Sequence, residues 1–128
     1  SSEIPMKKVG GIYEVDCAIN NLPLKFIFDT GASIVSISSV EASFMLKNGY
    51  LSENDIKGKE YYSVATGEIR EGTIIRLREI RVGDAILKNV EASVAHNQKA
   101  PLLLGQSVLE RFGTITIDNK NSKLIIKQ

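Results

Sequence analysis

The stretch Phe26-Ile27-Phe28-Asp29-Thr30-Gly31-Ala32-Ser33 delivers one carboxylate from a run of large apolar residues directly into a Thr-Gly turn. Asp, Thr and Gly are all turn formers, and an aspartate placed there commonly caps neighbouring amides. Turn acids usually lie among polar residues, whereas Asp29 follows Leu24, Phe26 and Phe28 and precedes the apolar stretch that begins at Ile34. A carboxylate so bracketed is desolvated at a cost unless something compensates, and perturbed acids of that kind concentrate at functional sites. Asp29 is therefore the candidate functional acid, with a plain turn acid as the competing reading.

Few other side chains could do chemistry. His96 is the sole histidine, in Val94-Ala95-His96-Asn97, so neither a histidine-based triad nor a multi-histidine metal site can be assembled within the chain. It reads as a polar residue at a strand end. Cys17, the sole cysteine, lies in the alternating stretch Val15-Asp16-Cys17-Ala18-Ile19 and reads as a small core residue. A single cysteine excludes an intrachain disulfide, which fits a reducing compartment without requiring one. No Cys-x-x-Cys, Gly-x-Gly-x-x-Gly or P-loop pattern occurs, and no metal or cofactor is expected. Lys and Arg number 16 against 15 Asp and Glu, which gives no electrostatic case for nucleic acid or an anionic membrane surface. Arg70, Arg76, Arg78 and Arg81 lie among Glu68, Glu71 and Glu79 and read as a solvated face of mixed charge.

The elements that must position Asp29 are short β-branched runs broken by Gly, Asn and Asp, the pattern of an all-β sandwich or barrel. Strands are expected over 9–19 and 22–29, joined at Asn20-Asn21, a pair that tolerates positive φ and suits a hairpin. Further hairpins are expected where 73–82 and 85–95 flank Gly83-Asp84, and where 114–118 and 123–127 flank residues 119–122. Ser38 with Glu41 is a capping-box pattern, and Gly49 is the matching stop. Val40, Phe44 and Leu46, with Met45, would give that helix its apolar stripe. A second helix is expected over 106–112, with Val108, Leu109 and Phe112 at helical spacing. At 128 residues the chain is read as one domain, 1–128, with residues 1–8 flexible. It opens Ser-Ser-Glu without Met, so a trimmed upstream signal or anchor is expected, with the cell envelope as one location that would follow. No apolar run is long enough to span a bilayer, and no membrane contact by this segment is expected.

Phe28-Asp29-Thr30-Gly31-Ala32-Ser33 resembles the active-site motif of the aspartic proteases, an apolar residue followed by Asp-Thr/Ser-Gly-Ala/Ser. That family carries a second signature downstream, two apolar residues and a Gly leading into a short helix, and Leu102-Leu103-Leu104-Gly105 followed by 106–112 is similar to it. Between the two the family has a flap hairpin, and residues 61–72, Tyr-Tyr-Ser-Val-Ala-Thr-Gly-Glu-Ile-Arg-Glu-Gly, lie in the right interval. Asp16, Asp55, Asp84 and Asp118 are not followed by Thr-Gly or Ser-Gly, so there is one motif and one lobe. The sequence is thus similar to the retropepsin-like group, and its helix after Ser38 and its Leu102–Gly113 stretch look more like the bacterial members than the viral ones. Viral members end soon after their helix with one strand, where this chain continues into a hairpin.

The resemblance implies a single-lobe, closed β-barrel with a flap hairpin and one or two short helices. It implies a homodimer in which Asp29 from each subunit forms a dyad that activates water to hydrolyse an extended peptide or protein substrate. Thr30 would lock the two motif loops together, Gly31 would supply close approach and a donor amide, and Ala32 and Ser33 would support the loop, the serine by hydrogen bonding. Leu104 and Gly105 would pack beneath it. Ala65, Thr66 and Gly67 would form the substrate-binding flap tip, an ordinary exposed hairpin being the alternative. The competing functions are a retropepsin-fold peptide-binding or dimerisation module without turnover, and a small β-barrel in which the motif is coincidence.

Overall fold

Among the residues described by the computed structural model, 2–63, 65–96 and 102–127, the first chain reversal comes at Gly10-Gly11. These residues sit at φ +56 and +83 and join β1 (Ser2–Val9) to β2 (Ile12–Ile19). Two consecutive residues in the left-handed region suit the tight turn of a hairpin, and glycine enters it without steric cost. The single strand expected over 9–19 is therefore interrupted. Residues 2–8 are strand and not a flexible arm. Ser2, Ile4 and Met6 are buried while Glu3, Pro5 and Lys7 face outward, and the strand pairs with β10 (Lys123–Lys127) through 2–5 and with β2 through 6–9. Two apolar anchors at period 2, with a ladder to β10 and another to β2, hold this segment in the sheet.

The next reversal falls at Asn20-Asn21, φ 51 and 72, leading into β3 (Leu22–Phe28). Asn20 also pins this turn to a distant strand. It exchanges bonds with Glu79, its amide donating to Glu79 O at 3.0 Å and its Oδ1 accepting from Glu79 N at 2.9 Å, while Nδ2 donates to Tyr50 O. The chain continues through β4 (Val35–Ser38), α1 (Ser39–Lys47), a 3₁₀ turn (Glu53–Asp55), β5 (Ile56–Ser63), β6 (Ile69–Val82) and β7 (Ala85–Ala95). It closes with β8 (Leu103–Leu104), α2 (Gln106–Leu109) running into a second 3₁₀ turn (Glu110–Phe112), β9 (Thr114–Asp118) and β10. The hairpins expected around Gly83-Asp84 and before Lys123 are present, as β6–β7 and β9–β10.

The strands follow the order β5-β6-β7-β4-β8-β3-β2-β1-β10-β9, and Ala18–Arg81 and Ile19–Ile80 join β2 back to β6. Six strands thus form a closed ring, an all-β architecture from which the β5–β6 hairpin extends. Inside it lie Val15, Ile19, Phe26, Val35, Ile37, Leu77 and Ile80, each fully removed from solvent. β8 is only two residues long, yet it sits between β3, to which it is parallel, and β4, to which it is antiparallel. The loop between β3 and β4 is therefore held open around a strand from much later in the chain.

Helix α1 begins where the capping pattern places it, with Ser38 Oγ accepting from Glu41 N at 3.3 Å, and stops before Gly49 at φ +79. Its apolar stripe is not the expected one. Ala42 and Met45 face the core, whereas Val40 (52%), Phe44 (50%) and Leu46 (39%) are exposed. The helix follows β4 without a connecting loop, so the strand sets which face turns inward, and Phe44 stacks on Tyr50 instead. No helix among the described residues is long and apolar enough to cross a membrane.

Candidate active site

Asp29 stands at the end of β3, and backbone bonds from the inserted strand aim it. Ile27 N donates to Leu102 O at 2.8 Å and Asp29 N to Leu104 O at 3.1 Å. The turn then closes on itself, Ala32 N donating to Asp29 O at 3.3 Å and Gly31 N to the Asp29 carboxylate Oδ1 at 2.9 Å. The start of α2 clamps the far side: Gln106 N donates to Ala32 O at 2.8 Å, Ser107 N to Ser33 O at 2.9 Å, and Gln106 Nε2 to Thr30 O at 2.9 Å. Every residue from 29 to 33 except Gly31 is thus held through its carbonyl, and Gly31 through its amide.

Gly105 makes this clamp possible. A Cβ there would lie 2.2 Å from Ile34 O, 2.7 Å from Ile34 N and 2.8 Å from Ala32 O, all backbone atoms. Leu104, 1% exposed and in register with Phe28, packs beneath the loop. The structure therefore brings together Asp29, Thr30, Gly31, Ala32, Ser33, Leu104 and Gly105. The hydrogen bond through which Ser33 supports the loop is made by its main-chain carbonyl, which accepts from Ser107 N. Gln106 is an anchor that sequence reasoning placed in the helix but not at the site. Its position next to Gly105 was the available signal.

The carboxylate of Asp29 is half-buried, and Thr30, Gly31 and Ser33 are exposed. A fully desolvated acid, the expectation from its apolar flanks, is thus not found within one chain. The alternation of β3 explains this. Phe26 is fully buried, whereas Asp29 shares the opposite face with Ile27, which is only half-buried. Beside the loop lies an open cavity of about 280 Å³ lined in part by Phe28, Thr30, Leu109, Ile115 and Ile117. It is more apolar than polar, and it borders β9, an edge strand of the sheet.

Ala65, Thr66 and Gly67 form the exposed turn of the β5–β6 hairpin, with Gly67 at φ +85. Val64, beside them, lies outside the described residues. Among the described residues the tip makes none of the bonds that hold the Asp29 loop. The base of the hairpin is fixed by a network that sequence reasoning missed. Asp55, 1% exposed, accepts from Arg76 Nη2 at 3.0 Å and Ser52 N at 3.0 Å, with Arg78 Nε at 3.8 Å. Burial pushes its pKa up, but the Ser52 amide and the two guanidinium groups outweigh that and hold it below the usual carboxylate value. Arg76 and Arg78, though partly solvated, thus pair with this buried acid and not with the surface glutamates. Arg70 and Arg81 pair with surface acids, Glu68 at 3.7 Å and Glu79 at 3.8 Å. His96 is exposed at the end of described β7 and shares a 2.8 Å hydrogen bond with Thr73 Oγ1. Among the described residues no group of His, Cys, Asp and Glu could hold a metal ion.

A closed ring of strands with a strand inserted beside an Asp-Thr-Gly loop, a glycine-led helix beneath and a projecting hairpin defines a single-lobe retropepsin-like fold. The family model described as "gag-polyprotein putative aspartyl protease" matches residues 15–111. The chain belongs to this retropepsin-like aspartic protease family. It is similar to a retropepsin-like aspartic protease from Rickettsia conorii, at 26% identity and a TM-score of 0.70 over 97% of this chain and 87% of the other. The fold is also that of the retroviral protease-like domain of Ddi1 from Leishmania major (22% identity, TM-score 0.62, 94% and 91% covered). EIAV protease complexed with the inhibitor HBY-793 shares it too (17%, TM-score 0.64, 84% and 94%). An uncharacterized protein of Rickettsia prowazekii (strain Madrid E) is 33% identical over 108 residues, 84% of this chain but 44% of that protein. The chain thus spans less than half the length of this curated relative.

Proposed function

We propose that the protein is an aspartic endopeptidase in which Asp29 of one copy and Asp29 of a second form the catalytic dyad. The observation that carries this reading is the Asp29 loop itself, locked by backbone bonds while Asp29 stays only half-buried, with no second Asp-Thr/Ser-Gly motif in these 128 residues. Two carboxylates brought together share one proton, because like charges at contact distance cannot both ionise easily. The ionised one takes a proton from water while the protonated one donates to the scissile carbonyl, and the pair titrates as a unit. Gly31 N–H holds Asp29 Oδ1 in place for this exchange.

The second copy has a natural seat. Thr30 is exposed beside the cavity formed with Leu109, Ile115 and Ile117, and β9 leaves one edge of the sheet unpaired there. A two-fold axis at Thr30 would close that cavity, desolvate both acids and satisfy the strand edge in one contact. The substrate would lie extended under the hairpin whose turn is Ala65-Thr66-Gly67. The test is Asp29→Asn, assayed against peptide libraries alongside sedimentation over a concentration series. Cleavage should be lost with fold and dimer retained. Undiminished cleavage by the variant, or a strict monomer at all concentrations, sinks the dyad. Dimerisation with peptide binding and no wild-type cleavage would assign the binding module instead.

A further inference from the structure

The sheet face that carries Asp29 continues far beyond its loop, and its far end is polar. Residues opposed in register share a face, so the row through Ile27 runs to Leu103, to Ser36, to Ser93 and to Ile74. Asp29, two positions after Ile27, points the same way. Ile27, Leu103, Ser36 and Ile74 are half-buried, whereas Leu104, Val35, Ala92 and Ile75, one position along the same strands, are core. This half-open row, which starts beside the acid, is the wall against which an extended substrate would lie in the reading above.

Glu60 joins this wall from the hairpin strand β5. It is opposed to Gly72 on β6, which is opposed in turn to Ala95 on β7. Because Gly72 has no side chain, the Glu60 side chain lies across it: a Cβ at 72 would meet Glu60 Oε1 at 3.1 Å and Cγ at 3.3 Å. The carboxylate thereby reaches β7, where the buried Ser93 hydroxyl donates to Oε1. The other acids of this hairpin have cations, Glu71 with Lys59 at 3.2 Å and Glu68 with Arg70 at 3.7 Å. Among the described residues Glu60 is answered by a hydroxyl alone. A half-buried carboxylate in that wall, held in one orientation with no counter-cation among the described residues, is suited to receive one.

We propose that Glu60 determines substrate specificity, forming with Ser93 and Ser36 a subsite for a lysine or arginine side chain. The inference rests on the peptide-hydrolase reading above. Three strand spacings separate Ile27 from Ser93, roughly 14 Å, so the cation belongs to a residue about two to four positions from the cleaved bond.

The test uses two peptide libraries, one with Lys and Arg and one with norleucine and citrulline in their place, digested by the full chain and read by mass spectrometry. The wild type should favour the cationic library by roughly tenfold to a hundredfold, the worth of a charge-assisted hydrogen bond. Glu60→Gln, which keeps an acceptor for Ser93, should erase that preference, and Glu60→Lys should turn it toward acidic peptides. An equal preference in Glu60→Gln, or none in the wild type, overturns the proposal. The same peptides are titrated by fluorescence anisotropy onto Asp29→Asn with and without Glu60→Gln. Lysine-selective binding that depends on Glu60, in the absence of any cleavage, would leave the subsite standing and remove the hydrolase reading. Cleavage without selectivity does the reverse, and absence of both binding and cleavage overturns the two together.

Discussion

Replacing Gly105 by alanine should both destabilise the protein and displace the Asp29 loop. The added methyl would sit 2.2 Å from Ile34 O and 2.8 Å from Ala32 O, where ordinary contact begins at 3.4 Å. These are backbone atoms, so no side chain can rotate away and the two segments must part by about 1 Å, an overpacking that costs about 1–3 kcal/mol. Parting them weakens Gln106 N to Ala32 O, Ser107 N to Ser33 O and Asp29 N to Leu104 O, now 2.8, 2.9 and 3.1 Å. At about 1 kcal/mol for each of the three bonds impaired, the total is about 4–6 kcal/mol. For a domain of this size that is a fall in Tm of about 16–24 °C. Thermal unfolding by circular dichroism measures the stability, and the amide resonance of Gly31, which now donates to Asp29 Oδ1, reports the loop. A variant melting within about 2 °C of wild type, with the Gly31 amide unmoved, would refute the close-packing account of the clamp.

Two further outcomes are expected. Asp55→Asn should cost about 1–3 kcal/mol at pH 7, below the figure for a fully buried pair because Arg76 and Arg78 are partly solvated and can rehydrate. Asp55 is held below its ordinary 3.8, so its contribution is complete above that value and disappears as pH falls through the lower folded-state value. Urea unfolding from pH 7 to pH 2 should therefore show the gap between wild type and variant closing on acidification, and a constant gap would contradict the ion-pair assignment. Cys17 is buried, and burial first, then the charge of Asp16, pushes its thiol up to about 12. Iodoacetamide at pH 8 should label it only as fast as the protein unfolds, and labelling of the native protein at the rate of a free thiol would remove it from the core.

Local signals in the sequence translated well into structure. Asn20-Asn21 marks a hairpin because both residues tolerate positive φ, and Ser38 marks a helix start because its hydroxyl can meet Glu41 N three residues on. The Asp-Thr-Gly loop and the Leu-Leu-Leu-Gly segment were readable as a pair, and the structure places them in contact. What escaped depends on partners distant in sequence. The burial of Ile4 is decided by β10, more than a hundred positions later, so residues 1–8 read as loose. The inward face of α1 is set by the strand it follows, which left Val40, Phe44 and Leu46 exposed. Asp55 reads in the sequence as an acid outside any Asp-Thr-Gly motif, and its partners Arg76 and Arg78 lie more than twenty positions on. The exposure of Asp29 likewise reflects the pleat of β3 and not the apolarity of its neighbours.

The insertion of β8 between β3 and β4 also has a consequence in time. Thr30 and the Gln106 that restrains it are 76 positions apart, so a chain emerging from the ribosome carries the acid long before it carries the clamp. Contacts of such sequence separation form slowly, after local hairpins. A nascent or truncated product ending before Leu102 would contain the whole Asp-Thr-Gly motif and still lack the strand and helix start that orient it. Synthesis itself thus delays the assembly of the loop until most of the domain exists.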